Sequence, residues 1–152
     1  MKSLVPLAVF AILGSMASAQ TPAPKSAPAP APKLVSDLFD WAKMEVVTNA
    51  KGESRAVFDG STATVDKLHC HITTLKPGEK SGEARLHQQE EIIIVKEGTV
   101  EANWDGKSKT GGPGSVIFFA SGATTFLRNA GTTPCTYVVL YYYTPLTPKA
   151  KS

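Results

Sequence analysis

Arg85-Leu86-His87-Gln88-Gln89-Glu90-Glu91-Ile92-Ile93-Ile94-Val95-Lys96-Glu97-Gly98 is the stretch that decides the fold. Its second half is a β-branched run closed by Glu97-Gly98, which reads as a strand and the turn that ends it. Its first half carries Arg85, His87, Gln89 and Glu91 at every second position. Side chains two apart on a strand point to the same side, so these four share one face if the strand runs unbroken.

Outward from that run the signals are for further strands. Thr99 to Trp104 ends at Asp105-Gly106, a two-residue hairpin turn that wants positive φ. Val116 to Phe119 follows the turn Gly111-Gly112-Pro113-Gly114, and Thr124 to Arg128 ends at Asn129-Ala130-Gly131. Cys135 to Tyr143 is the last and most apolar strand. Upstream, Val65 to Leu75 alternates loosely and stops at Lys76-Pro77-Gly78, and a short strand, Arg55 to Phe58, closes at Asp59-Gly60. Leu34 to Val47 reads as a short helix capped by Ser36, or as an irregular lead-in. Seven or so short strands with Gly and Pro turns, and no alternation of strand with helix, argue for an all-β sandwich or barrel.

The spacing around the opening stretch resembles the two motifs of the cupin family. The first reads His-x-His, three or four residues, Glu, six residues, Gly. Here His87, Glu91 and Gly98 match, and Arg85 stands at the first His. The second reads Gly, five residues, Pro-x-Gly, two residues, His, three residues, Asn. Here Gly114, Gly122 and Asn129 match, with Ala120 at the Pro and Thr125 at the His. The resemblance spans about residues 50–145 and implies a single cupin jelly-roll β-barrel over residues 34–152.

It also implies a site. In cupins three His and one Glu look into the barrel and hold a divalent metal, for which imidazole and carboxylate suit Fe, Mn, Ni or Zn. This chain keeps His87 and Glu91, so the expectation is a degenerate metal site with no cofactor, the alternative being one of those four metals. A guanidinium has donors only and stays protonated, so Arg85 cannot ligate; its expected use is to pair with Glu91 in the cation's place. His71 is the candidate third ligand: it alternates with the apolar set Leu68, Cys70 and Ile72, and so faces away from it. The ligand-pocket candidates are Arg85, His87, Gln89, Glu91 and Thr125, with Arg85 suited to an anionic group. His87 with Glu91 also reads as a base and its orienting carboxylate, or as a structural pair.

Residues 1–19 read as a signal peptide: Lys2, the apolar run Leu4 to Leu13, and the small residues Ala17-Ser18-Ala19. The run is shorter than the roughly 20 residues a membrane helix needs, so no span is expected after cleavage. Residues 20–33 are a Pro/Ala-rich linker with nothing to bury. Lys2, Lys25 and Lys33 lie outside the domain, leaving 13 basic residues (16 − 3) against 13 acidic ones. A balanced domain has no electrostatic footprint for nucleic acid. Cys70 and Cys135 lie in strands of an exported chain and are candidates for one disulfide, or for two buried thiols.

The expected location is therefore periplasmic or secreted, and the expected partners are a small molecule and a second copy of the chain. Two functions stand open. One is a metal-poor barrel that binds a small polar molecule or serves a structural role. The other is a metal-dependent or acid–base enzyme of the isomerase, decarboxylase or dioxygenase class. No catalytic residue is assigned, because the fold hosts both.

Overall fold

The computed structural model describes residues 33–149. The expected signal peptide and all of the linker except Lys33 lie outside the described residues. Ten strands follow one another: β1 (Val47–Asn49), β2 (Gly52–Gly60), β3 (Lys67–Leu75), β4 (Arg85–Leu86), β5 (Glu90–Glu97), β6 (Val100–Trp104), β7 (Lys107–Gly111), β8 (Val116–Phe119), β9 (Thr124–Asn129) and β10 (Cys135–Tyr143). They form two antiparallel sheets, ordered β1-β2-β3-β10-β5-β8 and β4-β9-β6-β7.

Burial alternates along the strands because each sheet has one inner face. Leu75, Ile93, Val95, Phe119, Tyr137 and Val139 from the larger sheet meet Val100, Ala102 and Leu127 from the smaller one in a single core. That two-layer closure is the jelly-roll barrel expected from the sequence. The hairpin at Asp105-Gly106 takes φ of 46° and 78°, the positive pair that a two-residue turn demands.

The lead-in is irregular, with one 3₁₀ turn at Trp41–Lys43 capped by Asp40 and not by Ser36. It lies over the outer face of the larger sheet. Phe39 packs on Phe58 at 5.4 Å, and Arg55 and Lys96 stand 4.8 and 4.2 Å from the Trp41 ring. Farther along that sheet nothing described covers Ile92, Ile94, Val116 and Phe118, which are exposed. β10 runs between β3 and β5, so the tyrosine-rich strand offers no edge; the free edges of that sheet are β1 and β8.

The disulfide expectation is corrected. Both cysteines are free and buried. In the β3–β10 register Cys70 faces Leu140 while Cys135 faces Leu75. Five residues of offset is about 16 Å at the usual strand rise, and a bridge needs Cα atoms within about 7 Å. The odd offset also puts the two thiols on opposite faces of the sheet. Burial pushes both thiols above their ordinary pKa, as befits small hydrophobes.

Candidate functional site

A cavity of about 420 Å³ lies between the sheets. The larger sheet lines it with His71, Thr73, Glu91, Ile93, Tyr137 and Val139; the smaller adds Arg85, Thr125 and Leu127, and His87 joins from the connection between β4 and β5. His71 enters because Leu68, Cys70 and Ile72 pack on the outer face of β3, which turns the other parity inward.

The strand expected to carry all four polar residues is broken. Arg85 belongs to β4 in the smaller sheet, opposite Thr125, whereas Glu91 belongs to β5 in the larger one. Residues 87–89 cross between them. The four side chains nevertheless meet, because the crossing spans the mouth of the barrel. Arg85 Nε donates to His87 Nε2 at 3.2 Å, and His87 Nδ1 stands 2.9 Å from Glu91 Oε1. Gln89 Nε2 donates to the same carboxylate oxygen at 3.1 Å, and Tyr143 donates its hydroxyl to Gln89 Oε1 at 3.0 Å.

Arg85 and Glu91 together assign the proton on His87. A guanidinium only donates, so Nε2 accepts and the ring proton is assigned to Nδ1, which points at Glu91 at 2.9 Å and has the Gln89 amide nitrogen at 3.2 Å. The imidazole thus bridges cation and carboxylate. This corrects the direct Arg85–Glu91 pair expected from the sequence: no ion pair of Arg85 occurs among the described residues, and its side chain is exposed. Its terminal amino groups have no described partner. Glu91 and Gln89 are 7 % and 6 % exposed, so the chain runs from a buried carboxylate to a guanidinium in solvent.

Thr125 is buried beside this group. Tyr137 is 1 % exposed, and its hydroxyl has no hydrogen-bond partner, although it lines the cavity. Burial lifts that phenol far above its ordinary pKa, so it remains a donor. The sequence offered Tyr137 as part of an aromatic platform or as packing, not as a pocket group; its parity with Cys135 and Val139, both core residues, was the available signal. His69 shares the parity of His71 and ranked below it as a ligand; Asp59 was passed over, because its partners come from a neighbouring strand and leave no mark in local spacing.

A divalent metal does not suit these donors. Among the described residues no three His, Cys, Asp or Glu side chains are grouped to hold one. Both nitrogens of His87 are engaged, one of them by a cation. His71 shares the cavity wall but gives Nδ1 to His69 at 3.0 Å. It does not gather with His87 and Glu91 as the third ligand that the sequence had offered.

Two further motif residues that survive, Asn129 and Gly98, are structural. Asn129, fully buried, donates to the carbonyls of Leu75 and Thr133 and accepts from Gly131 N, tying β9 to β3 and to the next loop. Gly98 has φ of 74°, and a Cβ there would lie 2.7 Å from Cys135 Cα.

Residues 71–141 match the family model of the cupin domain. No curated protein matches the chain in sequence. Among solved structures it resembles an RmlC-like cupin from Shewanella frigidimarina, with 17 % identity, a TM-score of 0.56, and coverage of 73 % of this chain and 95 % of that one. A sugar phosphate isomerase from Silicibacter pomeroyi is similar over 72 % of this chain and 77 % of its own, at 20 % identity and a TM-score of 0.57. A predicted oxalate decarboxylase from Thermotoga maritima is covered to 99 % by 70 % of this chain, at 19 % identity and 0.56. At such identities the likeness is one of fold. The family match, the two closed sheets and the motif glycines at Gly98, Gly114 and Gly122 agree: residues 71–141 of this barrel are a cupin domain.

Proposed function

We propose that this barrel binds a small anionic molecule, of the carboxylate class, without a resident metal. The observation that carries this reading is the guanidinium of Arg85 at the cavity, with its terminal amino groups free to take a carboxylate side-on. Behind it His87 and Glu91 hold the arginine in place and satisfy one another. The unpartnered Tyr137 hydroxyl supplies a second donor inside. A cavity of this volume suits a ligand of small-molecule size. The names of two similar structures, a sugar phosphate isomerase and a predicted oxalate decarboxylase, denote chemistry on small anions, which accords with the reading.

The test is calorimetric titration of residues 20–152 with oxalate, pyruvate and succinate, with glucose as the uncharged control. At least one carboxylate is expected to bind saturably, and glucose not to bind. Hydrogen bonds to a charged group are each worth about 1.5–3 kcal/mol, so Arg85→Ala should weaken that binding tenfold or more. Equal affinity in Arg85→Ala, or no binding of any of the three acids, contradicts the proposal.

Action outside the cytoplasm is part of the same proposal and rests on the order of Lys2, the apolar run and Ala17-Ser18-Ala19. N-terminal sequencing of the exported protein should begin at Gln20; a chain still starting at Met1 contradicts export by cleavage.

A further inference from the structure

Three adjacent strands place a second polar group beside the same cavity. Asp59 on β2 and Tyr141 on β10 are the cross-strand neighbours of His69 on β3. The His69 ring stacks on Tyr141 at 4.4 Å and 12°. Its Nε2 lies 3.0 Å from His71 Nδ1, and its Nδ1 lies 3.5 Å from Asp59 Oδ2. Lys67 Nζ holds the other Asp59 oxygen at 3.1 Å. His71 lines the cavity, so the order from surface to interior is Asp59, His69, His71.

Donor logic orients the row. His69 Nδ1 is buried and has no hydrogen-bond partner; the nearest charge to it is a carboxylate. A lone pair facing that carboxylate is repelled, so Nδ1 carries the proton and Nε2 accepts. His71 must then donate from Nδ1, which leaves its Nε2 unprotonated. Among the described residues nothing bonds to that nitrogen. A half-buried imidazole hydrogen-bonded to a second one, which in turn faces a carboxylate, is the arrangement of a general base.

We propose that Asp59, His69 and His71 form a relay that presents His71 Nε2 as the proton acceptor for a small 2-oxo acid held by Arg85. This deepens the anion-binding reading and rests on it. The C–H bond next to the ligand's carbonyl breaks, and its proton passes to Nε2. The electron pair moves onto the carbonyl oxygen as an enolate, for which the Tyr137 hydroxyl is a donor within the cavity. Positive charge arriving on His71 is shared through His69 with Asp59. Return of the proton to carbon completes an exchange or a tautomerisation, with no other reactant consumed. Burial, and after it the nearby His69, hold the His71 imidazole below its ordinary pKa of 6.5; Glu91 on β5 opposes this and Arg85 on β4 adds to it. The acceptor is therefore free at neutral pH.

The probe is pyruvate. Loss of its methyl proton signal in D₂O at pD 7.5, followed by NMR with residues 20–152, reads the proton abstraction. The ¹⁵N spectrum of histidine-labelled protein reads the tautomers without any ligand. Expected are exchange faster than in buffer, a fall of at least tenfold in His71→Gln, and a smaller fall in Asp59→Asn with pyruvate affinity unchanged. His71 should carry its proton on Nδ1, and Asp59→Asn should shift protonation toward Nε2. Exchange no faster than buffer with pyruvate bound, or unchanged in His71→Gln, overturns the proposal. So does a wild-type His71 protonated on Nε2. Absence of pyruvate binding overturns the assignment of this substrate class, and the tautomers then decide the relay alone.

Discussion

Arg85 and His87 are bonded to each other, yet their environments assign them different roles. Arg85 is exposed, and surface charges of this kind contribute well under about 1 kcal/mol to folding. The His87 and Glu91 side chains are 11 % and 10 % exposed, so each covers the other's polar atoms. Removing one partner of a buried pair costs about 3 kcal/mol, because the remaining charge is stranded. In urea denaturation, His87→Ala should therefore lose about 3 kcal/mol and Arg85→Ala less than 1. Equal losses would mean that the guanidinium is part of the folding core and not a ligand group. At this scale the sequence was informative about residue type and parity. It identified Arg85 as unable to ligate and His71 as facing away from the apolar set. It could not reveal that His87 would lie between Arg85 and Glu91, since that depends on where the strand breaks.

Strand β5 shows why that break was hidden. The alternation Arg85, His87, Gln89, Glu91 is continuous in sequence, but β4 ends at Leu86 and β5 begins at Glu90. The chain changes sheets there, and a period of two persists through the crossing without a strand beneath it. β7 escaped for the opposite reason. Lys107–Gly111 is an edge strand whose first four residues are exposed, so it carries no apolar alternation at all. The turns were the most legible elements, because positive φ selects glycine. Gly98 and Gly122 both match motif glycines, with φ of 74° and 84°. A Cβ at Gly98 would meet the backbone of Pro134 and Cys135 at 2.7 Å, whereas nothing lies within 4 Å of one at Gly122. Gly122→Ala should thus cost only the left-handed strain, about 1–2 kcal/mol, and Gly98→Ala roughly 3 kcal/mol or more because β10 must also move. Thermal denaturation of the two variants distinguishes them. Equal midpoints would mean that the close approach of β10 to this turn is relieved cheaply.

At the scale of the whole molecule the barrel is a scaffold in which Arg85 occupies the position of a motif histidine. Arg85 and Thr125 are cross-strand partners on β4 and β9 and line the same cavity as His87 and Glu91. Changing both to His therefore adds two imidazoles beside the two ligand-capable groups already present. The decisive measurement is the melting temperature of the parent and of the Arg85→His, Thr125→His double variant, each chelator-treated and then titrated with Fe, Mn, Ni or Zn. Metal at about a hundredfold over its dissociation constant stabilises by about 2.7 kcal/mol, which is several degrees in Tm for a domain of this size. The account predicts that rise in the double variant for at least one metal, and no rise in the parent for any. A parent that takes up one metal per chain with a comparable rise in Tm would contradict it.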